Sequence, residues 1–245
     1  MVVEAPKVLQ PKQSRIISTV LTRALELWLK SQAEQVEALQ LQIFGGKRQI
    51  LSGYIPCVSL TASHAVYKGL YFSQIQLEGT SIGINLNQIL KGKPLRLLEP
   101  VPVEGQLLLL EKDLQASLRS PLLSTALTDL VNTWLQSNQS TNLAQQLKNQ
   151  QISWQQIKLD THRLTLTGTL TGATFQTVPV VVSAGIQLAA KSLLRLTSLQ
   201  IQTAPEQPPL NLDDFEIDLG SEVELQELIL TPGQLFCRGS LKVIP

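Results

Sequence analysis

The sequence predicts an α+β fold: a long N-terminal helix wrapped by an extended, strongly twisted antiparallel sheet, with a short helical insertion in the middle. Three observations predict it. One apolar stripe recurs at helical spacing across residues 14–44. Later segments alternate apolar and polar residues with period two. Short turns containing Gly or Pro join those segments, and long strands joined by short turns pair antiparallel.

Taken in order, residues 1–13 read as a flexible leader with two prolines, and residues 14–245 as one domain. In residues 14–44, Ile17, Val20, Leu21, Ala24, Trp28, Val36, Leu39 and Ile43 fall near steps of three and four. Gly45-Gly46 is the stop signal. At 1.5 Å per residue such a helix spans roughly 45 Å, so its partner is elongated too. Strands follow over residues 51–62 and 70–78, with Tyr67-Lys68-Gly69 as the turn. Ile84, Leu86, Ile89 and Leu90 suggest a helical turn, Lys91-Gly92-Lys93-Pro94 a loop, and residues 101–110 another strand.

The helical insertion comes next. Residues 111–118 make one short helix. Ser120-Pro121 supplies an N-cap with proline at the first helical position, opening a second helix to about residue 135. Residues 143–148 make a third. Leu164, Leu166, Gly168 and Leu170 alternate with Arg163, Thr165, Thr167 and Thr169, the pattern of a half-buried strand. Strands over 174–188 and 192–203 follow, with Gly185 a bulge or bend. A hairpin closes the chain: residues 223–230 and 234–243 across Thr231-Pro232-Gly233.

Composition narrows the function. Hydrophobic residues are 43% of the 245 and aromatics only 4%, so the apolar content is aliphatic. Charged residues are 16%, below the roughly 25% of an average globular protein. A net charge of +1 argues against a broad nucleic-acid-binding face. No Lys or Arg occurs from Leu196 to Cys237, where Glu206, Asp213, Asp214, Glu216, Asp218, Glu222, Glu224 and Glu227 fall. That run reads as a solvated edge or, alternatively, as a docking surface for a basic partner. Cys57 and Cys237 lie in strand-like runs and read as reduced thiols, with their separation in space left open. The N-terminal stretch shows no apolar signal region, and no run approaches the roughly 18 apolar residues of a membrane span. A cytoplasmic location, or a peripheral one on the cytoplasmic face of a membrane, is the expectation.

Gly79-Thr80-Ser81-Ile82-Gly83 matches G-x-S-x-G, the pattern around many esterase nucleophiles. That chemistry needs a parallel strand before the serine, a substantial helix after it, and an acid and a histidine later in the chain. His162 is the only histidine downstream, and the elements do not alternate as a parallel sheet requires. Gly79 and Gly83 read better as relief for a tight turn where a strand leaves the sheet. His64 and His162 have no metal-ligand spacing with the cysteines, and Asp213-Asp214 has no neighbouring base. No catalytic residue, metal or cofactor is expected. Between the helix and a curled sheet, either side chains or an elongated apolar ligand fill the space. Aliphatic lining suits acyl chains, at roughly 0.8 kcal/mol per buried methylene, yet periodicity does not separate this from an ordinary core.

The stretch from Gln49 to Leu123 resembles the LmeA-like phospholipid-binding proteins of bacteria, most closely their cyanobacterial branch. The landmarks are Tyr67-Lys68-Gly69-Leu70, Ile84-Asn85-Leu86, Leu90-Lys91-Gly92-Lys93-Pro94-Leu95, Val101 to Val103, and Asp113-Leu114 with Ser120-Pro121-Leu122-Leu123. They mark a scaffold, and the resemblance covers about residues 14–245. That family is similar to the tubular lipid-binding (TULIP) proteins, whose long helix and twisted sheet enclose a tunnel for lipid tails. The resemblance implies a TULIP-like fold, a phospholipid or other acyl-lipid ligand, lipid transfer or membrane maintenance, peripheral membrane contact, and no catalysis. The expected lining is Leu70, Phe72, Ile82, Ile84, Leu86, Val103, Leu107 and Leu109. Lys91, Lys93 and Arg96 are the expected headgroup contacts, with Lys47 and Arg48 as a second option. Better-described relatives are exported, so their periplasmic role is not carried over. The alternative is an adaptor that docks a partner through its acidic C-terminal third.

Overall fold

The computed structural model describes residues 12–137, 151–171, 177–203 and 208–245. The predicted helix over residues 143–148 and most of the leader lie outside them. Helix α1 (Lys12–Gln32) buries Leu21 and Leu25, half-buries Ala24 and Trp28, and turns Arg23, Leu27 and Lys30 outward.

The single helix predicted over residues 14–44 is corrected here, because its second half is strand β1 (Gln35–Phe44). The pairing of β1 shifts register between Glu37 and Gln40, and Ala38 sits there with φ 44°. This bulge puts Val36 and Leu39 three residues apart, a spacing that imitates a helix. Beyond it, Leu39, Leu41 and Ile43 alternate with Gln40 and Gln42 as a strand should. No Gly or Pro marks the break, and the Glu34 amide donates to the Val66 carbonyl at 2.8 Å.

A short helix α2 (Lys47–Leu51) takes the start of the strand predicted over 51–62, and β2 runs Tyr54–Tyr67. Strand β3 (Leu70–Gly83) continues through the Gly79–Gly83 segment, so the expected tight turn there is also corrected. Helix α3 (Leu86–Ile89), strand β4 (Val101–Leu110), and helices α4 (Glu111–Ser117) and α5 (Pro121–Ser137) fall where the pattern places them. Strand β5 (Gln151–Asp160) was not anticipated. Its buried Ile152 and Trp154 are separated from Ile157 and Leu159 by a register shift at Gln155, which breaks the alternation. Strands β6 (Arg163–Thr171), β7 (Thr177–Ala190) and β8 (Leu193–Gln202) follow, with a register shift between Ser183 and Gly185. Two short strands, β9 (Leu210–Leu212) and β10 (Phe215–Asp218), lie in the acidic run. The final hairpin is β11 (Val223–Thr231) and β12 (Gln234–Val243).

The strands form two antiparallel sheets. The first has the order β1-β2-β3-β4-β12-β11, and the second β10-β8-β7-β6-β5 with β9 beside β8. Each sheet carries its own core cluster. Under α1 and α3, Leu21, Leu25, Ile55, Val58, Ile82, Ile84, Val101 and Val103 pack together. The second cluster joins α5, through Val131 and Trp134, to the apolar face of the second sheet.

Buried serines lock the α4–α5 hairpin onto the first sheet. Ser73 Oγ donates to the Asp113 carboxylate and accepts from the Leu110 amide. Ser117 Oγ accepts from the Tyr71 amide at 2.8 Å. Ser120 Oγ donates to the Lys68 carbonyl at 2.7 Å and accepts from the Leu122 amide, capping α5. Gly69 faces Ser120 so closely that a Cβ there would lie 3.1 Å from the Ser120 Cβ, and its φ of +74° favours glycine. Ser120→Ala removes a cap and orphans the Lys68 carbonyl. We expect a loss of about 1–2 kcal/mol in urea unfolding, with the far-ultraviolet circular dichroism of the folded state unchanged.

Candidate functional site

The first sheet has two unlike faces. Alternation along paired strands puts Gln74, Gln76, Glu78, Glu104, Gln106, Arg238 and Ser240 on one face, together with Leu108 and Phe236. The other face lies under α1 and α4 and is aliphatic. Across its middle runs one register-aligned row: Ala62 on β2, Ile75 on β3, Leu107 on β4, Cys237 on β12 and Leu228 on β11. Ala62 is buried, and the other four are half-buried. The row belongs to neither core cluster. Four strand spacings of about 4.8 Å make it roughly 19 Å long. In the adjacent row Gly105 pairs with Gly239, and the Leu77 side chain fills the space a Cβ at Gly105 would need.

The structure distributes the eight residues expected to line a cavity over three places. Ile82, Ile84, Leu86 and Val103 are buried beneath α1, packed with Leu21 and Leu25. Leu107 and Leu109 lie half-buried on the aliphatic face, Leu107 within the row. Leu70 and Phe72 alternate with Tyr71 and Ser73; since Ser73 faces α4, these two lie on the opposite face. Sequence reasoning missed Ala62, Ile75, Cys237 and Leu228.

Two clefts flank helix α4. One, of about 940 Å³, is lined by Lys68, Tyr71, Lys112, Arg119, Leu122 and Trp154 among others. A smaller one of about 490 Å³ lies between α4 and β5. None of the eight residues lines either.

Ser81 sits inside an antiparallel strand, between the register pairs Cys57–Thr80 and Ile55–Ile82, with φ 54°. It accepts a hydrogen bond from the Tyr54 hydroxyl at 3.3 Å. His64 lies toward the far end of β2, 3.3 Å from the Glu37 carboxylate, and His162 is in the β5–β6 turn of the other sheet. Among the described residues no group of three His, Cys, Asp or Glu is arranged to hold a metal ion. In the acidic run, Glu216 pairs with Arg195, Glu224 with Lys191 and Glu227 with Arg238.

With this geometry in view, the comparisons with known proteins fall into place. The chain matches the LmeA-like phospholipid-binding family over residues 12–240 and belongs to that family. Phospholipid is therefore its ligand class. No curated protein and no solved structure matches it significantly. Among the described residues no helix is long and apolar enough to cross a membrane.

The two cysteines are free and far apart. Three strand spacings, roughly 14 Å, separate β2 from β12, and the thiols occupy opposite faces. Burial pushes the Cys237 thiol up from its ordinary pKa; burial, then the Glu78 carboxylate, raises that of Cys57. Both thus stay protonated through neutral pH, which disfavours the reactive thiolate. Intact-mass alkylation at pH 7.5 should show two thiols and no disulfide, both slower than a free cysteine, with reactivity rising as pH climbs above 9.

Proposed function

We propose that this chain binds phospholipid without catalysis, holding acyl chains along the half-buried row Ala62, Ile75, Leu107, Cys237 and Leu228, in the manner of the tubular lipid-binding proteins its sequence resembles. One observation carries the reading. The aliphatic face is continuous across five strands, yet the two core clusters claim only its ends. A globular core of this size ordinarily closes over such a face. Here the side chains of the row keep part of their surface free for apolar contact. Aliphatic side chains accept a hydrocarbon tail without directional demands, at roughly 0.8 kcal/mol per buried methylene. The sheet's opposite face is mixed: Gln74, Gln76, Glu78, Glu104, Gln106 and Arg238 share it with Leu70, Phe72, Leu108 and Phe236, so the row's face is the more apolar of the two. The lipid is carried or handed on intact, since Ser81 and the two histidines lie in separate places.

The adaptor alternative draws less from the structure. Three of the acidic side chains on which it rests are already paired, two within their own sheet and Glu224 across to the second sheet, leaving less free charge for a basic partner.

Native mass spectrometry of the purified protein tests the proposal, and a phospholipid mass adduct is the expected result. Ile75→Gln with Leu107→Gln should weaken retention about tenfold or more, because each leucine-sized contact contributes roughly 1.5 kcal/mol or more. The unfolding midpoint monitors integrity. A folded double variant with undiminished lipid would overturn the assignment of the row.

A further inference from the structure

One end of the first sheet carries an unusual surface. There β1 ends, β2 starts, β3 ends, β4 starts and β12 ends, and the segments between them form α2 and the loop around α3. Leu51 is 51% exposed, Leu90 52% and Leu98 60%. Phe44, Tyr54, Leu241 and Ile244 are also exposed at this end. The segments are knitted together. The Ile84 amide donates to the Gly53 carbonyl at 2.8 Å, and the Leu98 amide to the Gly83 carbonyl at 2.9 Å. Tyr54 pairs with Gly83. Asn85 fixes the loop: its Oδ1 accepts from the Arg96 amide and its Nδ2 donates to the Pro94 carbonyl. Gly92, with φ +76°, turns the chain between Lys91 and Lys93.

Most of the charges around these side chains are positive. Lys47, Arg48, Lys91, Lys93 and Arg96 are all exposed. Among the described residues none of them enters an ion pair. Glu99 is a carboxylate among them, and Glu222 lies beside Lys242 at the β11 edge. The whole chain carries only +1, so this end holds a concentration of positive charge that the net value hides. Exposed aliphatic side chains ringed by unpaired cations complement a surface with anionic groups above hydrocarbon. A protein partner would demand a shaped apolar counterpart; a bilayer accepts separate leucines standing on different loops.

We propose that this end docks on an anionic phospholipid bilayer, with Leu51, Leu90 and Leu98 entering the interface and Lys47, Arg48, Lys91, Lys93 and Arg96 meeting lipid phosphates. The inference deepens the phospholipid-binding reading by naming the surface from which the ligand is drawn, and it rests on that reading only for this purpose. The test is co-sedimentation of the full chain with vesicles of phosphatidylcholine alone and with one-third phosphatidylglycerol. Stronger binding to the anionic vesicles is expected, falling as salt rises. Lys91→Glu with Lys93→Glu should lower that binding by about tenfold or more, through lost attraction and added repulsion. Leu51→Ser, Leu90→Ser and Leu98→Ser together should lower it by a similar factor, and the residual binding should become more salt-sensitive. All five positions are exposed, so circular dichroism should match the parent. Equal binding to both vesicle types, or anionic binding untouched by the leucine changes, would overturn the proposal. So would leucine changes that abolish self-association in solution but leave vesicle binding intact. Native mass spectrometry of the same variants reads the row separately: retained lipid with lost docking supports a distinct docking end, and unchanged docking defeats it whatever the row contains.

Discussion

The pairing of β4 with β12 is the constraint on which the first sheet depends. It runs in register from Val101 opposite Val243 to Leu110 opposite Gln234, ten residue pairs without a shift. The partners are separated by the helical insertion and the entire second sheet. Closing such a loop costs entropy that grows only slowly with length, and an uninterrupted ladder offsets it. The cost is kinetic instead, since contacts this distant in sequence form late. Without this ladder the N-terminal strands would end at an open β4 edge, and the aliphatic row would lose Cys237 and Leu228. The turns of the second sheet also dock on this hairpin. The His162 amide donates to the Leu230 carbonyl, and the Gly233 amide to the Leu159 carbonyl.

Around that ladder the molecule divides its labour by polarity. The outer face of the first sheet mixes glutamines and serines with Glu78, Glu104 and Arg238 and with Leu108 and Phe236. Helices close the inner face at both ends by different means. Under α1 the contact is aliphatic and non-directional. At α4 and α5 it is a set of hydroxyl hydrogen bonds from Ser73, Ser117 and Ser120, each with defined geometry. The family landmarks around Lys68-Gly69, Asp113 and Ser120 are therefore scaffold devices, and those around Asn85 and Gly92 shape the loop that bears the cations.

Most of the strand pattern was legible from alternation, cleanest in β6, and from the turn residues of the β11–β12 hairpin. The failures share one cause. A bulge at Ala38 turned period two into a step of three and made a strand look helical. A register shift at Gln155 hid β5. The same physics scattered the expected lining. Leu70, Phe72, Ile82 and Ile84 share one parity, which assigns them one face of a regular strand. The left-handed φ at Ser81 interrupts that alternation, and Ile82 and Ile84 lie beneath α1 while Leu70 and Phe72 face away. Strand β4 has no bulge, and there the choice of Val103, Leu107 and Leu109 keeps a single face. No local signal announces a bulge at an alanine or a left-handed φ at a serine. The sequence likewise contains Leu51, Leu90, Leu98 and five cations in separate segments; only the strand order brings them to one end.

The docking end and the aliphatic row are not adjacent, and this places a demand on helix α1. Between them lies the cluster of Ile82, Ile84, Leu86 and Val103, closed by Leu21 and Leu25. A tail travelling from bilayer to row must replace those helix contacts. Exposing Leu21 and Leu25 to water would cost roughly 1.5–3 kcal/mol each. Replacing them by methylenes of a lipid tail restores apolar contact of the same kind, because the hydrophobic effect scales with area and carries no direction. The exchange is thus nearly balanced if the helix lifts only as the tail enters. No comparable exchange is open to the serine-locked helices at the opposite end, where each displaced hydroxyl would leave a buried backbone amide or carbonyl unpaired. On the proposed reading, the chemistry of the two contacts would make α1 the cover that yields and α4–α5 the anchor that holds.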